Sequence, residues 1–300
     1  MAMIMANSSV DQTYTTGPEM VAAQAKVIAA GPVAAASKRN LEMSEPPEAV
    51  PLKWVIAGQV DRPQFLKGSF AAPIPFSRVE QSMLLPDSAS EEPWERDYGD
   101  FQPGDEVVLF LTDSGGLLKA VPSGRDQRDL ISVVKDIIAI QGHPTPDAAW
   151  LAYVERARLD QGRKAALRSV VREGIDWERL GPVMDRVMAD QSVDDAVRAY
   201  AFGVVVFGLR NGRWKTSQPA VGDVLGRRYE SEGHPKLLLQ YILNLKVLLA
   251  YTMEEPQRNR REPLRARVVL ALRRKESSAS MLPEVAQQYR SIRAMYPGQI

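Results

Sequence analysis

Near residue 122 the apolar pattern of this 300-residue chain changes its period. Before that point apolar residues come in short runs or alternate with polar ones, which is the period of a strand. After it they recur at i, i+3, i+4 and i+7, the period of a helix with one buried face. Such a chain is neither a single sheet nor a single bundle. The switch predicts an α+β protein, a sheet-forming half followed by an all-α half. The clearest strands lie just before it. Val107–Leu111 is a continuous apolar run that suits a strand buried on both faces. Asp113-Ser114-Gly115-Gly116 supplies residues that tolerate positive φ for a hairpin turn, Leu117–Val121 returns as the partner, and Pro122 ends the ladder because it has no N–H.

Earlier strands are predicted at Lys26–Val33, with Gly31-Pro32 marking a bulge or an edge, at Leu52–Val60 and at Ile74–Gln81. A helix over Glu19–Ala30 competes with the first of these, because alanine favours helix. Residues 1–20 are polar and poor in bulky apolar side chains, and are expected to be a disordered leader. Residues 87–101 form a long acidic loop in which Trp94 and Tyr98 are candidate binding anchors, since long loops often carry function.

Five short antiparallel strands with one long loop suit a small closed barrel of the oligonucleotide/oligosaccharide-binding (OB) type. The strand at Lys26–Val33, then Trp54-Val55-Ile56-Ala57-Gly58-Gln59-Val60, Phe76-Ser77-Arg78-Val79-Glu80 and the run from Phe101 to Leu111 resemble the barrel domain of secreted bacterial proteins of mostly unknown role. That barrel is similar to the netrin and metalloprotease-inhibitor module. The resemblance covers residues 25–124 and implies an OB-like fold and a bacterial envelope or secreted setting. It carries no catalytic motif. The inhibitor's N-terminal cysteine is missing here, so metalloprotease inhibition is not implied.

Beyond the switch, Leu130, Val133, Val134, Ile137 and Ile138 define the first amphipathic helix, which Asp126 can cap and Gly142 can stop. Thr145-Pro146-Asp147 is an N-cap, an N1 proline and a first-turn acid in helix-starting order. Further helices are predicted at Arg163–Arg172, Trp177–Met188, Ala196–Leu209, Ala220–Tyr229, Pro235–Tyr251, Pro263–Lys275 and Pro283–Met295. Ser192 to Asp195 resembles a capping box for the helix Ala196–Leu209. The expected organisation is a leader (1–20), an OB-like barrel (21–125) and an α-helical domain (126–300). Asp194–Ala201 and Leu264–Leu272 resemble the second helices of HEAT-type repeats. They lie about 70 residues apart, which does not match the roughly 40–47-residue period of such repeats, so an irregular bundle is the preferred reading and a HEAT-like array the alternative.

The chemical inventory is short. There is no cysteine, which excludes disulfides, thiolate nucleophiles and zinc–thiolate sites. His143 and His234 are the only histidines, each before a proline at a helix start, where such a pair is most often a turn element. The Gly-x-Ser-x-Gly elbow, the dinucleotide fingerprint and the phosphate-cradling Gly-Lys-Ser/Thr loop are absent. No catalytic residue, metal site or cofactor is predicted. Charge is uneven, −7 over residues 1–140 and +8 over 141–300. Arg258, Arg260 and Arg261 are the candidate binding residues of the basic half, at the head of a run that continues through Arg265, Arg267, Arg273, Arg274 and Lys275. As a nucleic-acid surface this run lacks aromatics for stacking, and the half predicted to form the barrel is acidic. The expectation is a non-catalytic protein-binding or scaffolding protein whose partner is another protein. A nucleic-acid-binding protein using the barrel and the basic C-terminal helices is the alternative, and a hydrolase with an unrecognised site the third reading. Leu237–Tyr251, the most apolar stretch, is interrupted by Gln240, Asn244 and Lys246, so no membrane span is expected. The first residues lack the basic region of a signal peptide.

Overall fold

The computed structural model describes residues 17–43, 51–81, 101–122, 128–254, 258–276 and 283–297. Trp94, Tyr98 and the Asp126 cap lie outside them. The chain divides into two compact units, residues 1–146 and 147–300.

The first unit is a six-stranded antiparallel sheet with two helices. A short helix α1 (Pro18–Gln24) precedes β1 (Val27–Met43), then follow β2 (Pro51–Val60), β3 (Gln64–Lys67), β4 (Ile74–Gln81), β5 (Glu106–Leu111), β6 (Leu117–Pro122) and helix α2 (Arg128–Gln141). The competing readings of the first segment thus divide it: α1 takes its start and β1 the rest. β1 is the organising strand because it changes partners along its length. Its first residues pair with β5, from Val27 opposite Leu111 to Pro32 opposite Glu106. From Val33 onward it pairs with β2, with a register shift between Val33 and Ala35. A bulge of this kind bends a strand and increases its twist. β3, which the sequence pattern did not predict, pairs with Ile28–Ala30 of β1. Gly31 stands at the crossing. A Cβ there would meet Val60 Cγ1 at 2.9 Å and the Arg62 carbonyl at 3.0 Å, so only glycine lets the three segments approach.

The hydrogen-bonded order is β4-β2-β1-β5-β6, and among the described residues no ladder joins β6 to β4. The expected closed five-stranded barrel is therefore an open sheet of six strands. Its inner face is nonetheless one core: Val27, Val33, Val60, Phe76, Leu109 and Leu111 pack together, with Phe101 edge-on to Phe76 at 5.5 Å. The alternate residues Ile28, Val108 and Phe110 are fully buried too, as a strand apolar on both faces requires. α2 packs on α1 and on β3.

The second unit is helical. It runs α3 (Pro146–Arg156), α4 (Asp160–Arg172), α5 (Trp177–Ala189), α6 (Asp195–Arg210), α7 (Gln218–Ser231), α8 (Pro235–Met253), α9 (Glu262–Glu276) and α10 (Pro283–Met295). Packing separates these into two rows. α4, α6, α8 and α10 pack in sequence on one another, as do α5, α7 and α9. The middle helices are buried almost all round. Phe202 of α6 stacks on Tyr241 of α8 with ring centroids 4.1 Å apart, and both side chains are inaccessible. α6 is capped by Asp194, whose carboxylate accepts from the Ala196 N–H. Ser192 instead donates its hydroxyl to Asp190, so the cap stands two residues beyond the expected Ser192.

Candidate functional site

The basic run of the second unit is the first place to look, and its side chains prove largely engaged. Arg261 lies 3.6 Å over the Tyr251 ring and donates to the Tyr251 carbonyl, which ties the turn before α9 to the end of α8. Arg265 pairs with Glu262, Arg267 with Asp223 at 3.1 Å and Arg274 with Glu230 at 3.5 Å. Lys275 donates to the Glu230 and Glu232 carbonyls at 3.0 and 2.6 Å, at the C-terminal end of α7, where a cation also meets the negative end of the helix dipole. Burial holds the Lys275 ammonium below the usual lysine range. Arg258 is half-buried and Arg260 exposed. The three arginines singled out in the sequence are therefore not equivalent: Arg261 serves the fold and Arg260 faces solvent.

The side chains that converge on a cavity lie elsewhere, where the α5–α6 turn meets the α7–α8 turn. They line a cleft of about 650 Å³ that includes Asp195, Arg198, Arg228, Glu232 and His234. Arg198, on the first turn of α6, joins its walls. Its Nε donates to the Met188 carbonyl at 3.1 Å, Nη1 to Asp195 at 3.1 Å and Nη2 to Glu232 at 2.6 Å. Arg198 and Glu232 are both under a tenth exposed, and a buried pair needs such extra hydrogen bonds to offset its desolvation. Glu232 Oε1 also accepts the Gly233 and His234 N–H groups at 2.9 and 2.7 Å, which fixes the α7–α8 turn. His234, the N-cap of α8, is half exposed and places Nδ1 2.9 Å from Asp195 Oδ2. Arg228 donates Nε to Asp185 at 2.7 Å, and that bond holds the Asp185 carboxyl below the usual carboxylate range.

This arrangement contains a histidine aligned by an acid, which is two thirds of a hydrolytic triad. The nearby hydroxyl does not complete it, because Ser231 donates to the Arg228 carbonyl. His143, by contrast, sits in a turn and accepts the Thr145 N–H at 3.1 Å. Among the described residues no group of three metal-ligating side chains comes together. Sequence reasoning missed the cleft because its members are spread along the chain from Met188 to Pro235. His234-Pro235 was the single signal, and it signalled a turn.

In comparisons with known protein families, curated proteins and solved structures, the chain matches none. Among the described residues no helix is long and apolar enough to cross a membrane.

Proposed function

We propose that the chain is a non-catalytic protein-binding or scaffolding protein, and that the cleft between the α5–α6 and α7–α8 turns is where its helical unit meets a partner. The observation that carries this reading is the cleft's rigidity without a nucleophile. Arg198 clamps three walls in the free protein, so a partner meets a preorganised surface, whereas the serine that lines the cleft, Ser231, donates to the Arg228 carbonyl and not to His234. The latter point weighs against the hydrolase reading.

The two rows of helices support a HEAT-like reading of this unit. α5, α7 and α9 begin at Trp177, Gln218 and Glu262, 41 and 44 residues apart, within the roughly 40–47-residue period of such repeats. Stacked helical repeats characteristically present extended binding surfaces. For the first unit, the strand order with β1 shared between two sets of neighbours is compatible with a partly open OB-like barrel. The bacterial envelope setting rests on the sequence resemblance of residues 25–124. The nucleic-acid alternative loses support from the basic run, most of whose cations are already paired with carboxylates or carbonyls of their own unit.

The test is affinity capture by the whole chain, wild type against Gly233→Trp. Gly233 lines the cleft and a Cβ there meets no atom within 4 Å, so a larger side chain has room to start at this wall. The expected result is a protein retained by the wild type and lost with the variant. Salt-sensitive binding of single-stranded DNA or RNA, or turnover of a substrate by the pure protein, would overturn the reading.

A further inference from the structure

The cleft also indicates what the partner presents to it. This step rests on the binding reading above. The charges of Arg198 and Arg228 balance those of Asp195 and Glu232, so net charge does not select a ligand. The open hydrogen-bonding positions do. Asp195 has one oxygen on Arg198 and the other on His234. Glu232 has one on Arg198 and the other on two backbone N–H groups. A cationic ligand would have to share each of these oxygens with a donor already in place. The donors are different. Arg228 uses only Nε, on Asp185, and its two Nη nitrogens have no acceptor among the described residues. A guanidinium edge of this kind matches the two oxygens of a carboxylate.

Two further observations point the same way. Tyr241 is fully buried and its hydroxyl has no hydrogen-bond partner, an uncommon condition for a buried polar atom. Its electrostatic neighbours are Arg198, Glu232, Arg228 and Asp195, four members of the cleft. A second cleft of about 360 Å³ adjoins the first through Ala189, which lines both. There Arg163 keeps a buried Nε without an acceptor. Two abutting clefts lined by arginines, Arg198 and Arg228 in one and Arg163 and Arg186 in the other, suit an extended chain better than a compact molecule.

We infer that the cleft takes a carboxylate carried on an extended peptide segment of the partner, received by the free edge of Arg228 beside His234. The peptide crosses the α5–α6 turn into the second cleft. The carboxylate belongs to an acidic side chain or to a C-terminus, and both expose the same two acceptor oxygens.

The experiment is fluorescence polarisation with the full chain and four labelled peptides of equal length: one with internal glutamates and an amidated end, one neutral with a free C-terminal carboxylate, one neutral and amidated, and one with lysines in place of the glutamates. The expected result is saturable binding of the first or the second, which also identifies the source of the carboxylate, with the other two at least tenfold weaker. Arg228→Gln weakens the favoured peptide roughly tenfold. Arg228→Lys, which keeps the charge and loses the two-nitrogen edge, weakens it about threefold and decides the matter should the first variant melt early. Equal binding of the neutral amide, preference for the lysine peptide, failure of both carboxylate peptides to bind, or wild-type affinity in both folded variants would overturn the inference. Capture of a partner lost with Gly233→Trp but indifferent to carboxylates would leave the binding reading standing and remove only this one.

Discussion

Arg198 and Glu232 meet at 2.6 Å although 34 residues separate them, and neither is more than a tenth exposed. One side chain comes from the start of α6 and the other from the turn before α8. Their pairing holds the two turns that frame the cleft.

Removing one partner leaves the other charged, buried and unmatched. Arg198→Met is expected to cost about 3–5 kcal/mol, as broken buried pairs do. Urea unfolding followed by circular dichroism measures it. Arg198→Met with Glu232→Leu should recover a large part of that loss, and a double-mutant cycle that shows no coupling would mean the pair is not formed in solution.

Asp185 sets the acid limb of stability. Its hydrogen bond to Arg228 keeps its folded pKa below the unfolded value, so the contribution is present above about pH 4 and is lost as pH falls through the folded pKa. Partial exposure of the pair limits it to about 1 kcal/mol. Melting curves between pH 7 and pH 3 should show a shallower acid decline for Asp185→Asn than for the wild type.

Gly208 should invert the usual helix rule. Glycine to alanine within a helix ordinarily gains about 1 kcal/mol. In α6 the added Cβ would stand 2.7 Å from the Trp214 ring and 3.0 Å from Val171 Cγ1. Trp214 cannot easily retreat, because its Nε1 donates to the Ile175 carbonyl at 2.8 Å and its ring meets Trp177 at 5.1 Å. Gly208→Ala is expected to destabilise by about 1–3 kcal/mol, the cost of overpacking, with a lowered Tm as the readout.

Tyr229 contributes to the alkaline limb. It is fully buried, its hydroxyl has no partner, and burial with Tyr289 nearby raises its pKa. The folded protein keeps the phenol neutral while the unfolded chain ionises near pH 10, so stability is present below that pH and declines above it. Tyr229→Phe should flatten the decline and leave stability at pH 7 equal or slightly higher, because it removes a buried hydroxyl that bonds to nothing. A clear loss at pH 7 would show that the hydroxyl has a partner in solution.

The chain's local instructions were legible. Ile74–Gln81 and Pro283–Met295 are elements to the residue, and the change of period near 122 separates the strands from the helices. These features follow from nearest neighbours: alternation, the 3.6-residue period, prolines at helix starts and a glycine turn. β3 escaped because four residues flanked by Pro63 and Gly68 carry too little periodicity, and only its pairing with β1 makes them a strand. The helical period was obscured because the two segments compared, near Asp194 and Leu264, belong to different rows, α6 and α9. Members of a single row, α5, α7 and α9, show the 41- and 44-residue steps.

What the sequence determined by itself is the change from strands to helices near residue 122 and the centres of most elements, since those choices depend on contacts within a few residues. Tertiary structure alone decided that the sheet stays open, that most of the basic run turns inward onto its own acids, and that Asp195, Arg198, Arg228, Glu232 and His234 share one cleft. Each of these depends on partners that are distant along the chain, and such pairs meet only once the hydrophobic rows have stacked and fixed which turns are neighbours.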